Sequence, residues 1–201
     1  MRTIFFALLL PFYGLMLTSC SVKVTEDTKP TFTKTDSLTD SYLAFQDSML
    51  QSWNVMINDD NQKIKSMHNL LHELIVTSAD ERDRLEQFEE QLDQLERLRY
   101  TQKSMGNADV IEEYDFASTT LVQELISLAE SRTEFAYNTT LQKLVDDIRT
   151  ADQRVDGYRE EYDAIATKFN RFLERYQRDL TEITHKDSLE KKPLFRMATV
   201  E

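Results

Sequence analysis

The side chains best suited to metal or nucleophilic chemistry are few: three histidines and one cysteine in 201 residues. His68 and His72 stand four apart, so on a helix both imidazoles would face one ion. Two ligands do not close a site. His68-Asn69-Leu70-Leu71-His72 also lacks the glutamate that follows the first histidine of zinc hydrolases. The expectation is two partly exposed polar residues beside an apolar stripe, with metal or small-ligand binding as the alternative. Glu182-Ile183-Thr184-His185 has the spacing of a di-iron half-site. Such sites need the pair twice with further inward glutamates, and no second copy occurs. Elsewhere the acids interleave with Arg and Lys, as in Glu81-Arg82-Asp83-Arg84, which predicts solvated, salt-bridged helix faces. No nucleophile elbow, P-loop or dinucleotide fingerprint is found. Asn138-Thr139-Thr140 fits a glycosylation sequon and reads as a helix cap. These patterns predict a protein that is not an enzyme and uses no cofactor and no resident metal.

Cys20 is the only thiol, so it forms no internal disulfide. Its setting gives it a different chemistry. Met1-Arg2-Thr3 is followed by an apolar run over residues 4–17, then by Leu17-Thr18-Ser19-Cys20-Ser21. A short basic start, an apolar stretch and small residues are the parts of a secretory signal. The run is shorter than the about 20 residues of a spanning helix, and Pro11 and Gly14 interrupt it. Leu17-Thr18-Ser19-Cys20 resembles the lipobox of bacterial lipoproteins, which implies a diacylglycerol on the sulfur and cleavage before Cys20. Two or more acyl chains, at about 0.8 kcal/mol per buried methylene, hold a protein stably on a bilayer. Ser21 stands where an aspartate often favours inner-membrane retention, so an outer-membrane location is expected. Residues 20–37, polar and containing Pro30, read as a flexible tether.

Only three Gly and three Pro occur, too few for the turns of a many-stranded β fold. Charged residues make up 30% and net charge is −12, which repels phosphate backbones and excludes nucleic acid as a partner. From Leu141 through Ile148, Val155, Tyr162 and Phe169 to Tyr176, apolar residues recur in steps of three and four. That seam predicts one long helix over about 138–183. Its aromatic residues are expected in the core. Residues 38–77 predict a helix with a weak spot at Asn58-Asp59-Asp60-Asn61. A second helix is expected from an Asp80 cap to Met105-Gly106, and a third, capped by Asn107 or Asp109, to about Tyr137. The predicted fold is therefore all-α. It is an elongated antiparallel bundle of about four helices with a long C-terminal helix projecting past its neighbours. Along the chain, 1–19 is a signal peptide, 20–37 a tether, 38–184 the bundle and 185–201 a tail. Burial of the seam by homo-oligomerisation is the alternative.

Several spacings resemble the LemA family. Trp53 is followed sixteen residues later by Asn69-Leu70-Leu71, where the family has Asn-Leu-Val. Arg154, Tyr162-Asp163 and Phe169-Asn170 follow the spacing of the family's Arg and paired Tyr-Asn motifs. Tyr176 stands where the family has Phe before Pro, and Lys192-Pro193-Leu194-Phe195 resembles its closing segment. The departures are Gln62-Lys63 for a basic pair, His68 for Pro, Asp163 for Asn, Gln177 for Pro, and a lipobox in place of a transmembrane helix. The resemblance covers roughly residues 42–198. It implies a helical bundle attached to a membrane near its N-terminus, with no established enzymatic activity. It marks Trp53, Asn69, Arg154, Tyr162 and Asn170 as positions of interest. Together these readings predict a cell-envelope lipoprotein that touches the membrane through lipid on Cys20 and acts on protein partners.

Overall fold

The computed structural model describes residues 33–77, 81–185 and 189–195. The leader, Cys20, Pro30 and the Asp80 cap lie outside them. The described part is all-α, with four helices and no strand. Helix α1 is Lys34–Thr77, α2 Arg82–Leu98, α3 Ala108–Glu130 and α4 Thr139–Thr184, with a 3₁₀ turn at Thr133–Ala136 before α4. None of the described helices is long and apolar enough to cross a membrane.

Local chemistry sets most of the boundaries. Thr33 Oγ1 accepts from the Asp36 N–H at 3.1 Å, while the Asp36 carboxylate accepts from the Thr33 N–H at 2.9 Å. This reciprocal cap starts α1 inside the stretch assigned to the tether, whose residues 34–37 are helical. Asn107 caps α3 through Asp109 N–H, and Asn138 caps α4 through the N–H groups of Thr140 and Leu141. Helix α2 stops at Leu98 rather than near Met105, because Arg99 turns out of the helix (φ −56°, ψ 131°). There its guanidinium reaches Asp60 at 2.6 Å. Likewise α3 ends at Glu130, and the chain reaches α4 through the 3₁₀ turn.

The polar quartet at 58–61 does not break α1, which runs unbroken for 44 residues. Its charges are taken up by other helices, as described below. Helix α1 is thus nearly as long as α4, at 46 residues; each spans on the order of 65–70 Å. The two lie antiparallel in a nearly constant register. Lys34 meets Asp179, Tyr42 meets Phe169, Trp53 meets Tyr162, Asp59 meets Arg154 and Lys63 meets Asp152. Helix α4 therefore does not project alone. What falls short is the other pair. Helices α2 and α3 reach α1 and α4 through His68–Glu96, Asp60–Arg99, Lys63–Ser118, Arg149–Glu130 and Arg159–Asp115. All of these lie in the second part of α1 and the first part of α4.

The rod consequently has two halves. In the four-helix half, Met67, Leu70, Leu71, Leu74, Leu85, Leu92, Leu95, Leu125 and Ile148 are buried to about the last square ångström. In the two-helix half, Leu38, Met49, Phe169, Leu173 and Leu180 are buried, while Tyr42, Phe45, Phe172 and Tyr176 are only partly covered. Within that half α4 is kinked at Tyr176 (φ −119°, ψ 20°), without a proline. It ends at His185 in the left-handed region (φ 53°).

Candidate functional site

The region assigned to a C-terminal tail packs back on the rod. Residues 189–195 run along the two-helix half antiparallel to α4: Lys191 pairs with Glu174 at 2.5 Å, Lys192 with Asn170, and Phe195 with Asp163. Asn170 reads the segment's backbone twice. Its Nδ2 donates to the Lys192 carbonyl and its Oδ1 accepts from the Lys192 N–H, both at 2.8 Å. Asp163 Oδ1 accepts from the Phe195 N–H at 2.8 Å. Pro193 brings no donor that would need a partner and has its φ already fixed.

Phe195 ends the segment in an aromatic seat. It stacks on Trp53 at 6.4 Å and 10°, and meets the edges of Tyr162 at 5.6 Å and Tyr100 at 5.8 Å. The Arg159 guanidinium lies 5.2 Å over the Phe195 ring and 5.7 Å over that of Tyr100.

Beneath the seat, at the junction of the two halves, lies a polar network. Asp60 accepts from Arg99 at 2.6 and 3.0 Å and from the Tyr114 hydroxyl at 2.7 Å, and sits 3.5 Å from Lys63. Lys63, with a side chain only 2% exposed, donates to Ser118 at 2.9 Å and to Asp152 at 3.3 Å. Arg159 grips Asp115 with both terminal nitrogens at 2.6 and 2.7 Å, and Arg154 pairs with Asp59. Five aspartates and the four cations Lys63, Arg99, Arg154 and Arg159 converge here, if exposed Asp156 on the rim is counted. A cleft of ≈ 200 Å³ opens among them. Burial, reinforced by Asp60, raises the Tyr114 pKa well above that of a free phenol. Burial also raises Tyr100 and Tyr162. For Arg159 burial opposes the charge, but the bonds to Asp115 and Tyr100 outweigh it and its pKa rises.

The positions singled out by spacing therefore separate. Trp53, Tyr162 and Asn170 come together around residues 189–195. Arg154 stands apart, bonded to Asp59 across the α1–α4 pair (Nε to Oδ2 3.2 Å). Asn69 is exposed on α1, away from both. His68 Nε2 lies 3.3 Å from Glu96 Oε1, and His72 is exposed. Among the described residues no three His, Cys, Asp or Glu side chains are grouped so as to hold a metal ion. Lys63, Asp60, Tyr100 and Arg159 carry the network, yet no local pattern in the sequence marks them, because their hydrogen-bond partners are 39–89 positions distant. No family model, curated protein or solved structure matches the chain.

Proposed function

We propose that the chain is a lipid-anchored protein of the bacterial cell envelope, LemA-like and non-enzymatic, that works by contacting other proteins. The observation that carries this reading is the division of labour among its side chains. The charged groups at the junction are engaged with one another and hold the helices, whereas large apolar side chains are left on the outside. Val76 and Tyr137, 69% and 71% exposed, lie where α1 ends and α4 begins. Phe116, 76% exposed, stands on α3, and Leu43 and Leu50 lie one heptad apart on α1. Exposed apolar groups favour protein contacts where they form a contiguous patch, as Val76 and Tyr137 at one end of the rod would together. Val76 and Tyr137 mark the closed end of the rod, where α1 ends and α4 begins. The LemA-like reading rests on the sequence spacings of Trp53, Asn69, Arg154, Tyr162 and Asn170.

Two measurements test it. Radiolabelled palmitate should label the wild-type chain, and Cys20→Ala should abolish both the label and leader removal while leaving the helical circular-dichroism signal intact. An unlabelled wild type would end the anchored reading. A photo-crosslinking residue at Tyr137 should capture reproducible partners in intact cells, and failure at native expression would count against contact at the closed end.

Small-ligand binding is the second reading. The ≈ 200 Å³ cleft favours it, because the buried Arg159 Nε has no hydrogen-bond acceptor there.

A further inference from the structure

We propose that the groove along α1 and α4 is a binding site for extended protein segments of basic–proline–apolar–aromatic type. Residues 189–195 are its resident occupant, and a partner's segment binds by displacing them.

The contacts are of the kind that recognises a peptide. Asn170 and Asp163 read main-chain groups, at Lys192 and Phe195, which any extended segment presents. Specificity comes from the seat of Trp53, Tyr100 and Tyr162 under Arg159, which takes one aromatic ring. Glu174 at the other end pairs with Lys191 and favours a basic side chain. A proline between them costs the segment no hydrogen bond and keeps it extended.

The present occupant also fits loosely. Lys192, Pro193, Leu194 and Phe195 all remain partly exposed, and with them in place Tyr162 and Phe169 beneath are 2% and 1% exposed. The segment completes the cover of the groove while keeping an outer face in solvent. Two clefts flank Lys192: one of ≈ 190 Å³ bordered by Gln46, Met49 and Tyr162, and one of ≈ 240 Å³ bordered by Tyr42, Phe169 and Leu173. A partner segment with larger side chains on either side of the proline fills space that residues 189–195 leave open. It thereby gains the surplus needed to displace a segment tethered at high effective concentration.

The inference rests on the proposed function only in taking the partner to be a protein. The test uses the full chain purified in detergent and a synthetic peptide Leu-Glu-Lys-Lys-Pro-Leu-Phe. Trp53 is the only tryptophan, so its fluorescence reports the seat directly. Phe195→Ala vacates the seat. The peptide should bind that variant at least about tenfold more tightly than the wild-type chain, and lose at least about tenfold when its own phenylalanine is replaced by alanine. Adding Asn170→Ala should weaken binding further.

Equal affinity for both chains, or no binding to the Phe195→Ala chain, overturns the proposal. So does loss of helical signal in that variant, which would make the segment an integral part of the fold. Concentration-dependent dimerisation of the wild type that disappears in Phe195→Ala would assign the groove to a second copy and likewise overturn it. None of these readouts depends on the lipid. Failure here leaves anchoring intact, and an unlabelled Cys20 leaves the groove intact.

Discussion

Helix α1 belongs to both halves of the rod and is packed differently in each. Toward its C-terminus Leu70 and Leu71, neighbours in sequence, are both fully buried, which requires cover on more than one side. Toward its N-terminus only a narrow stripe is buried, with Leu38 and Met49 on it, and Leu43 and Leu50 stand about half exposed. Helix propensity does not distinguish the two stretches, since both are helical throughout. The difference is the presence of α2 and α3 on one side and of seven extended residues on the other. Tertiary cover, rather than local preference, decides how firmly each half is held.

The largest expected effect lies at the junction. Asp60→Ala removes the acceptor shared by Arg99, Tyr114 and Lys63 and should cost about 3–5 kcal/mol, because buried cations lose their partner. Urea unfolding measures it; a loss under about 1 kcal/mol would mean the network does not join the halves. Next, Leu71→Ala should cost about 3–4 kcal/mol, near the upper part of the range for fully enclosed sites. Leu38→Ala, at the thinly covered end, should cost about 1–2 kcal/mol. Equal losses would mean that both halves are covered alike.

Gly157→Ala should stabilise by about 0.4–1 kcal/mol, since the glycine is in a helical conformation with nothing within 4 Å of an added Cβ.

The remaining two predictions concern pH and separate the halves chemically. Burial raises the folded pKa values of Tyr100, Tyr114 and Tyr162 above the ordinary phenol value of 10. The unfolded chain therefore releases these protons first. Their stabilisation is complete below about pH 10 and is lost as pH rises through the folded values. Hydrogen exchange should show alkali loosening the four-helix side and the seat. Glu174 is shifted the opposite way: its hydrogen bond with Lys191 lowers it below 4.5. Its contribution is present above that value and lost as pH falls through the folded one. Acid should thus loosen the Lys191–Glu174 end of residues 189–195, a small effect for an exposed pair, seen at most as a small change in Trp53 fluorescence before any helix is lost.

How much was legible in the sequence follows the same division. The seam from Leu141 to Tyr176 is a local periodicity, and every position in it is buried or partly buried. The caps at Asn107 and Asn138 are also local, and both form. The length of α1 was obscured because Asn58-Asp59-Asp60-Asn61 looks like a break until Arg99, Arg154 and Tyr114 arrive from other helices. The early end of α2 has the same origin, since Arg99 leaves the helix to reach Asp60. Residues 189–195 carried no periodic signal at all. Only the arrangement of Trp53, Tyr162 and Asn170 on two antiparallel helices gives them a place.

The constant antiparallel register of α1 against α4 also has a mechanical consequence. A pull applied between Lys34 and the start of α4 would run along the rod axis. The paired contacts, from Lys34–Asp179 to Lys63–Asp152, would then be strained together in shear instead of peeling apart one at a time. Such a rod transmits a pull from one end to the other without opening, whereas force applied across its two-helix end would unzip it.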